Sequence, residues 1–252
     1  MRNEKNDIKI RECTTLEELA ECVQVQREVF ALPECELSPV RHLVVTKNAG
    51  GFSLGAYDGE RLAGFVLSVP AYINGRRAFY SHMTGVRPEY QSHGLGAKLK
   101  WAQRARALAE GVDYIRWTFE PIKARNAFFN LEKLGAVVRE YRVNFYGTDY
   151  GTSPELDGMK LGLASDRLMT DWELNDPKVA ALAAGETPMK GAMMPVGEIV
   201  TVEDWLGLVA ENPEAAKAEQ LRIRSEFQVA FASGFVASGF TRDSERPAFL
   251  LY

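Results

Sequence analysis

Residues 86–99 read Val86-Arg87-Pro88-Glu89-Tyr90-Gln91-Ser92-His93-Gly94-Leu95-Gly96-Ala97-Lys98-Leu99, and this stretch decides the fold. It lies where an apolar strand-like run, Ala78 to Val86, gives way to helical spacing at Leu95, Leu99, Ala102, Ala105 and Ala109. Glycines at such a turn let the backbone come close to a bound group. The N–H groups of the first helical turn have no partner inside the helix and point outward. With the positive end of the helix dipole they make an anion site suited to a phosphate. Lys98, Lys100, Arg104 and Arg106 follow on the same helix and Arg76-Arg77 lies upstream, so further phosphate charge is expected to be neutralised nearby. A dinucleotide fingerprint fails, because Leu99 stands where the third glycine belongs. A Walker loop fails too, for want of Gly-Lys followed by Ser or Thr.

Outward from the motif the pattern is strand, helix, strand. Upstream, Ile8 to Arg11 alternates like a short strand, and Thr14 or Thr15 caps a helix, with Glu17 or Glu18 completing a capping box. Leu16, Leu19, Ala20, Val23 and Phe30 give that helix an apolar stripe. Ser38-Pro39 reads as a second helix start, with Ser38 as N-cap. Phe52 to Tyr57 and Leu62 to Val69 flank the hairpin signal Asp58-Gly59, and Asn74-Gly75 marks another turn. Downstream, Tyr114 to Phe119 reads as a strand, 123–134 as a helix stopped by Gly135, and Ala136 to Tyr146 as a long strand. Such a run implies right-handed crossovers and a partly parallel sheet. Residues 147–166 read as a loop, Arg167 to Leu174 as a strand and 176–195 as a linker. A short strand near Ile199, a helical pattern over 203–232 and strands at Phe235 to Thr241 and Ala248 to Tyr252 close the chain.

Composition narrows the class of function. The 252 residues are 46% hydrophobic and 25% charged, ordinary for a globular chain. At roughly 150 residues per domain, that length predicts one large domain or one domain with an appendage. No window approaches the roughly 20 apolar residues of a membrane span. The charged start MRNEKNDIKIRE lacks a signal peptide's apolar region, so a cytoplasmic protein is expected. Residues 1–150 carry 21 Lys+Arg against 18 Asp+Glu, and 151–252 carry 9 against 16. That balance lacks the basic stripe of a nucleic-acid binder. Cys13, Cys22 and Cys35 fit neither a zinc ribbon nor a redox pair, so reduced thiols and no metal site are expected. The Gly51-Phe52-Ser53-Leu54-Gly55 match to a hydrolase elbow is a decoy, since Ser53 would lie within a strand. Met189, Met193, Met194, Phe227 and Phe231 are expected to pack in a core.

With Gln91-x-x-Gly94-x-Gly96 preceded by Val86-x-Pro88-Glu89, the sequence resembles the GNAT superfamily of acyl-CoA-dependent N-acyltransferases. The resemblance spans about residues 8–175, through the capped helix, the Asp58-Gly59 hairpin, the strand at 113–119 and Glu132-Lys133-Leu134-Gly135. Trp117 to Pro121, Arg125-Asn126-Ala127-x-x-Asn130 and Ser165-Asp166-Arg167 ahead of Trp172 make the whole chain look like a bacterial branch with a C-terminal extension. The implied fold is α/β: a mixed, mostly antiparallel sheet with a central parallel pair, flanked by helices, plus a smaller C-terminal α+β segment. Residues 1–175 would be the acyl-CoA domain and 176–252 the extension, packed on the same sheet and serving acceptor recognition or subunit contact in a homodimer.

The resemblance also implies a division of labour. Acetyl-CoA or another acyl-CoA is the cosubstrate, and its pyrophosphate rests on backbone amides of Gln91, Ser92, His93, Gly94, Leu95, Gly96 and Ala97, with Lys98 beside them. The pantetheine arm pairs with Thr84, Gly85 and Val86, and a backbone N–H there polarises the thioester. The acceptor, an amine on a small molecule or peptide, attacks directly. For the base, Glu120 and His82 are the candidates. The tyrosine that many members use as acid is matched by Leu131, and their helix-start asparagine by Ala124, with Asn126 displaced by two. The acid's task then falls to Tyr141, Tyr146 or a water. Leu131 keeps a second class of function open, a non-catalytic acyl-CoA-binding sensor or interaction module.

Overall fold

The computed structural model describes residues 8–30, 32–150, 161–188, 194–243 and 245–252. The chain divides into two compact units, Met1–Ile115 and Arg116–Tyr252. The fold class is mixed α/β, with one parallel pair and antiparallel pairings elsewhere.

The first unit runs β1 (Lys9–Glu12), α1 (Leu16–Phe30), α2 (Val40–Asn48), β2 (Phe52–Asp58), β3 (Arg61–Ile73), β4 (Arg76–Val86), α3 (Leu95–Ala109) and the start of β5 (Tyr114–Phe119). β1 to β4 lie side by side in sequence order, each antiparallel to the next. The helix α3 carries the chain from β4 to β5, and these two strands are the parallel pair. Local chemistry sets each joint. Thr15 Oγ1 accepts the Glu18 N–H at 3.2 Å, and the Glu18 carboxylate accepts those of Thr14 and Thr15 at 2.6 and 3.0 Å. Burial works against the Glu18 charge, but the Thr15 and Thr14 amides and the Arg11 guanidinium hold its pKa down at about 2. Asn74 and Gly75 both take positive φ, 51° and 78°, as a two-residue hairpin turn requires. The core gathers Leu19, Cys22, Val25, Leu43, Leu62, Phe65 and Leu67. Thus α1 presents Leu19, Cys22, Val23, Val25 and Gln26 inward, while Leu16 of the expected stripe is 62% exposed. The thiols of Cys13 and Cys22 lie 3.7 Å apart in this core, both free.

The second unit continues with α4 (Ala124–Phe128), a π turn (Phe129–Lys133), β6 (Val137–Arg142), β7 (Arg167–Glu173), α5 (Pro177–Ala183), β8 (Gly197–Val200), α6 (Trp205–Glu211), α7 (Pro213–Ala232), β9 (Ala237–Thr241) and β10 (Ala248–Leu251). Its strand order is β5-β7-β6-β9-β10-β8. Strand β9 pairs with β6, so the C-terminal segment extends the same run of strands. Phe227 and Phe249 are fully buried at its centre, their rings 5.0 Å apart. Each such side chain contributes roughly 1.5–3 kcal/mol of burial. Trp117 and Trp172 meet edge-to-face at 5.6 Å, and their N–H groups donate to Asn130 Oδ1 and the Leu134 carbonyl.

Several elements differ from the sequence expectation for identifiable reasons. The helix expected over 123–134 widens into a π turn, closed by Leu134 N–H on the Phe129 carbonyl. Strand β6 stops at Arg142, because Asn144 turns at φ 49° and is held by Ser165 and Asp166. The expected linker contains α5, started by Pro177 with Asp176 capping the Lys178 N–H at 2.8 Å. The 203–232 helix breaks at Asn212-Pro213, since the residue before proline avoids helical backbone. Ser53 lies within β2, as the decoy reading required. Met194 is 81% exposed and not in a core, while Met189, Met193 and residues 151–160 of the expected loop lie outside the described residues. Among the described residues no helix is long and apolar enough to cross a membrane.

Candidate functional site

In the first unit the chain passes without interruption from β4 through a turn into α3, and every expected CoA-contacting residue lies on that path. Thr84, Gly85 and Val86 face Val66, Phe65 and Gly64 across the ladder. A Cβ on Gly64 would lie 2.6 Å from the Gly85 carbonyl oxygen, so only glycine admits this close approach. The strand end is anchored from three sides. Arg87 Nε donates to the Leu62 carbonyl at 2.8 Å while its guanidinium meets Glu21 and Glu28 of α1. Tyr90 donates to Asp58 at 2.8 Å, and Gln91 Nε2 turns back onto the Val86 carbonyl at 2.8 Å. Gln91 therefore ties the turn to the strand with its side chain.

Beyond Gln91 the backbone takes two left-handed steps, Ser92 at φ 65° and Gly94 at φ 76°. Such alternation turns successive amides toward one concavity. Gly94 is the N-cap of α3 and supplies no side-chain cap, and the first turn holds no acidic residue. Lys98 N–H bonds the Gly94 carbonyl at 3.1 Å, so the amides of Leu95, Gly96 and Ala97 precede the helix's first bond. A Cβ on Gly96 would meet nothing within 4 Å, which leaves the outside of this turn open. Among the described residues these backbone donors have no protein acceptor, as a phosphate site requires.

The expected ring of neutralising side chains is smaller than the sequence suggested. Lys98 and Arg77 are exposed, but Lys100 turns inward, 3% exposed, and donates to Ser81 Oγ and Gln103 Oε1 at 3.1 and 2.7 Å. Burial drives its pKa well below the lysine value. Arg106 pairs with Glu110 and Glu12, and Arg76 with Asp113. A helix face repeats every three to four residues, so a cation two places from Lys98 cannot share its side.

His82 occupies an irregularity of the motif strand. Leu67 pairs with Met83 and Ser68 with Ser81, which leaves His82 as the extra residue of a β-bulge. Bulges re-aim side chains and are frequent beside active sites. The ring is half-buried, its Nε2 lies 3.1 Å from Ser38 Oγ, and the His42 ring meets it edge-on at 5.8 Å. Burial, and secondarily His42, lower its pKa below the ordinary histidine value. Ser38 makes no cap bond to α2, whose N-cap is Pro39. The Ser38 reading as a helix cap concealed this partnership, and nothing in residue spacing pairs positions 38 and 82.

In the second unit Glu120 and Tyr141 are linked through consecutive residues. Glu120 pairs with Lys123 and lies 3.7 Å from Arg167. Tyr141 donates to Asp166 Oδ2 at 2.7 Å, and Asp166 also accepts from Arg224 and from the Asn144 amide. Burial first, then the Asp166 hydrogen bond, raise the Tyr141 pKa far above its ordinary value. Tyr146 stacks on Tyr150 at 4.8 Å and approaches Thr118 at 3.4 Å. Leu131 is fully buried in the π turn.

No curated protein matches the sequence. In fold the chain is similar to the ribosomal-protein-S18-alanine N-acetyltransferase from Escherichia coli, with TM-score 0.51 and 16% identity over 74% of this chain and 98% of that one. It is similar also to a GNAT family acetyltransferase from Elizabethkingia anophelis with acetyl-CoA bound, with TM-score 0.50 and 14% identity over 68% and 100%. The profile of the Acetyltransferase (GNAT) family matches residues 15–136, which hold α1, the hairpins, the motif turn, α3 and β5. Over residues 15–136, a little under half of its length, this chain is similar to the acetyltransferase (GNAT) family.

Proposed function

We propose that this protein transfers an acetyl or other acyl group from acyl-CoA to an amine by direct attack in a ternary complex. The observation that carries the reading is the turn from Gln91 to Ala97, with two left-handed residues and uncapped helix amides around an open Gly96. Those amides would hold the pyrophosphate, with Lys98 beside them. Thr84, Gly85 and Val86 would pair with the pantetheine arm, and one backbone N–H there would polarise the thioester carbonyl, a donor worth roughly 3 kcal/mol. The family profile and an acetyl-CoA-bound relative of the same fold support the cosubstrate.

An alkyl amine has a pKa of about 10.4, so near neutrality almost all of it is protonated and not nucleophilic. Of the base candidates His82 is the better supported. It sits on the motif strand at the bulge, and its lowered pKa keeps it neutral and able to take a proton. Glu120 is engaged by Lys123 and Arg167, and the Tyr141 proton is given to Asp166, so we assign both to shaping the second unit around Asp166 and Arg167. Residues 1–175 are proposed as the acyl-CoA domain and 176–252 as an extension for acceptor recognition or self-association. A non-catalytic acyl-CoA sensor remains the competing reading, favoured by Leu131 at the family's acid position. Thiol release from acetyl-CoA with a panel of amines, alongside calorimetry with CoA, decides between them. CoA binding without thiol release supports the sensor, and no binding rejects both.

A further inference from the structure

His82 and Ser38 come from different elements, β4 and the segment before α2, yet form one polar contact in a half-buried place. Ser38 is held for it. The Gln26 side chain, fully buried on α1, accepts the Ser38 N–H at 2.9 Å and donates to the Ser38 carbonyl at 3.1 Å. Both backbone polar groups of one residue are thus fixed by a single side chain. That is more constraint than a connecting loop needs. The His42 edge then limits how the His82 ring can turn.

The direction of the Ser38–His82 hydrogen bond follows from satisfying each proton. A serine hydroxyl has one proton to give, and a neutral imidazole has one N–H and one bare nitrogen. Ser38 is 7% exposed, and among the described residues its hydroxyl meets no other acceptor. An unsatisfied buried donor costs roughly 1–3 kcal/mol. His82 is only half-buried, less enclosed than Ser38, and among the described residues Ser38 Oγ is the one hydrogen-bond partner of its ring. Ser38 Oγ–H therefore donates to Nε2, and His82 carries its own proton on Nδ1. The basic nitrogen of His82 faces the serine.

We propose that Ser38 is the proton relay of the acyl-transfer reaction: its Oγ receives the proton of the attacking amine while its own proton passes to His82 Nε2. In this step the amine nitrogen bonds the acyl carbon, the carbon–sulfur bond breaks with its electron pair leaving on CoA as the thiolate, and the amine N–H bond and the Ser38 O–H bond break. A new O–H bond forms on Ser38 and an N–H bond on His82, leaving the serine neutral and the histidine a cation. The proposal rests on the acyl-transfer reading above. It gives the hydroxyl at 38 a task distinct from packing, and it places the entry of α2 beside the acceptor amine.

The test joins a spectroscopic and a kinetic readout. Nitrogen-15 NMR of the wild-type protein above the His82 pKa should show the Nδ1–H tautomer, the minor form of an unconstrained imidazole. Ser38→Ala should return His82 to the Nε2–H form and lower kcat roughly a hundredfold, with the Kd for CoA unchanged. Ser38→Thr should restore both. Wild-type His82 in the Nε2–H form, or Ser38→Ala turning over at the wild-type rate, overturns the relay. Wild-type protein that binds CoA and acylates no amine overturns the acyl-transfer reading itself, a different failure from turnover indifferent to Ser38.

Discussion

Gly96→Val separates binding from folding more cleanly than any other change at the motif. The position lies in the first turn of α3, takes no positive φ, and an added Cβ would meet nothing within 4 Å. Valine is a better helix residue than glycine by a few tenths of a kcal/mol, so stability should hold or rise slightly, about 1 °C in Tm. The open space it fills is where a phosphate would approach the amides of Leu95, Gly96 and Ala97. A hydrogen bond to a charged group is worth roughly 1.5–3 kcal/mol, so denying two of them costs about 3–6 kcal/mol, or roughly 10²- to 10⁴-fold in Kd for CoA. Gly94→Val is the contrasting arm. Its φ of 76° adds roughly 1–2 kcal/mol of backbone strain, so that variant should lose both stability and binding. The assay is calorimetric titration with CoA beside thermal melts. Wild-type affinity in Gly96→Val would refute the phosphate assignment, and a large fall in its Tm would refute the claim that the site is open.

Three further outcomes are expected. Tyr141→Phe should cost about 1–2 kcal/mol in denaturant unfolding, because Asp166 loses one of its donors, and should leave kcat within about threefold; a collapse of kcat at unchanged stability would instead make Tyr141 the acid. With an acceptor amine that is itself neutral across the range, such as an arylamine, the pH profile of kcat/KM should keep its plateau to below about pH 6.5, because burial and His42 keep His82 neutral there, and the acidic limb should vanish in His82→Gln. Lys100→Met should flatten the pH dependence of stability. The unfolded chain holds the lysine proton up to about pH 10.4 while the folded protein sheds it well below, so wild-type stability rises with pH between those values by up to about 1.36 kcal/mol per unit. Equal slopes in denaturant melts of the two proteins would show Lys100 to be protonated in the fold.

What the sequence disclosed and what it hid divide along physical lines. The capping box at Thr15 and Glu18, the Asn74-Gly75 turn and the glycine turn at 94–96 are short-range devices, and each residue's preference for its conformation is visible in neighbours a few places away. The same holds for Leu131, whose apolar character at the expected acid position is simply read. Side-chain partnerships across long separations are another matter. The Ser38–His82 contact joins residues 44 apart, and the Arg224–Asp166 pair residues 58 apart. No pattern of spacing announces either. The bulge that frees His82 depends on the register of two strands, which alternation alone does not fix. Lys100 misleads for the opposite reason: charge suggested a surface, but its place on α3 turned it toward Ser81 and Gln103.

The central claim is that the β4–α3 turn holds acyl-CoA for transfer to an amine. Following thiol release from acetyl-CoA in the presence and absence of amines, with wild-type protein and Gly96→Val side by side, tests it most directly. The account predicts amine-dependent release by the wild type and none by the variant at the same CoA concentration, with both proteins folded. Amine-dependent release of equal rate from both would contradict it.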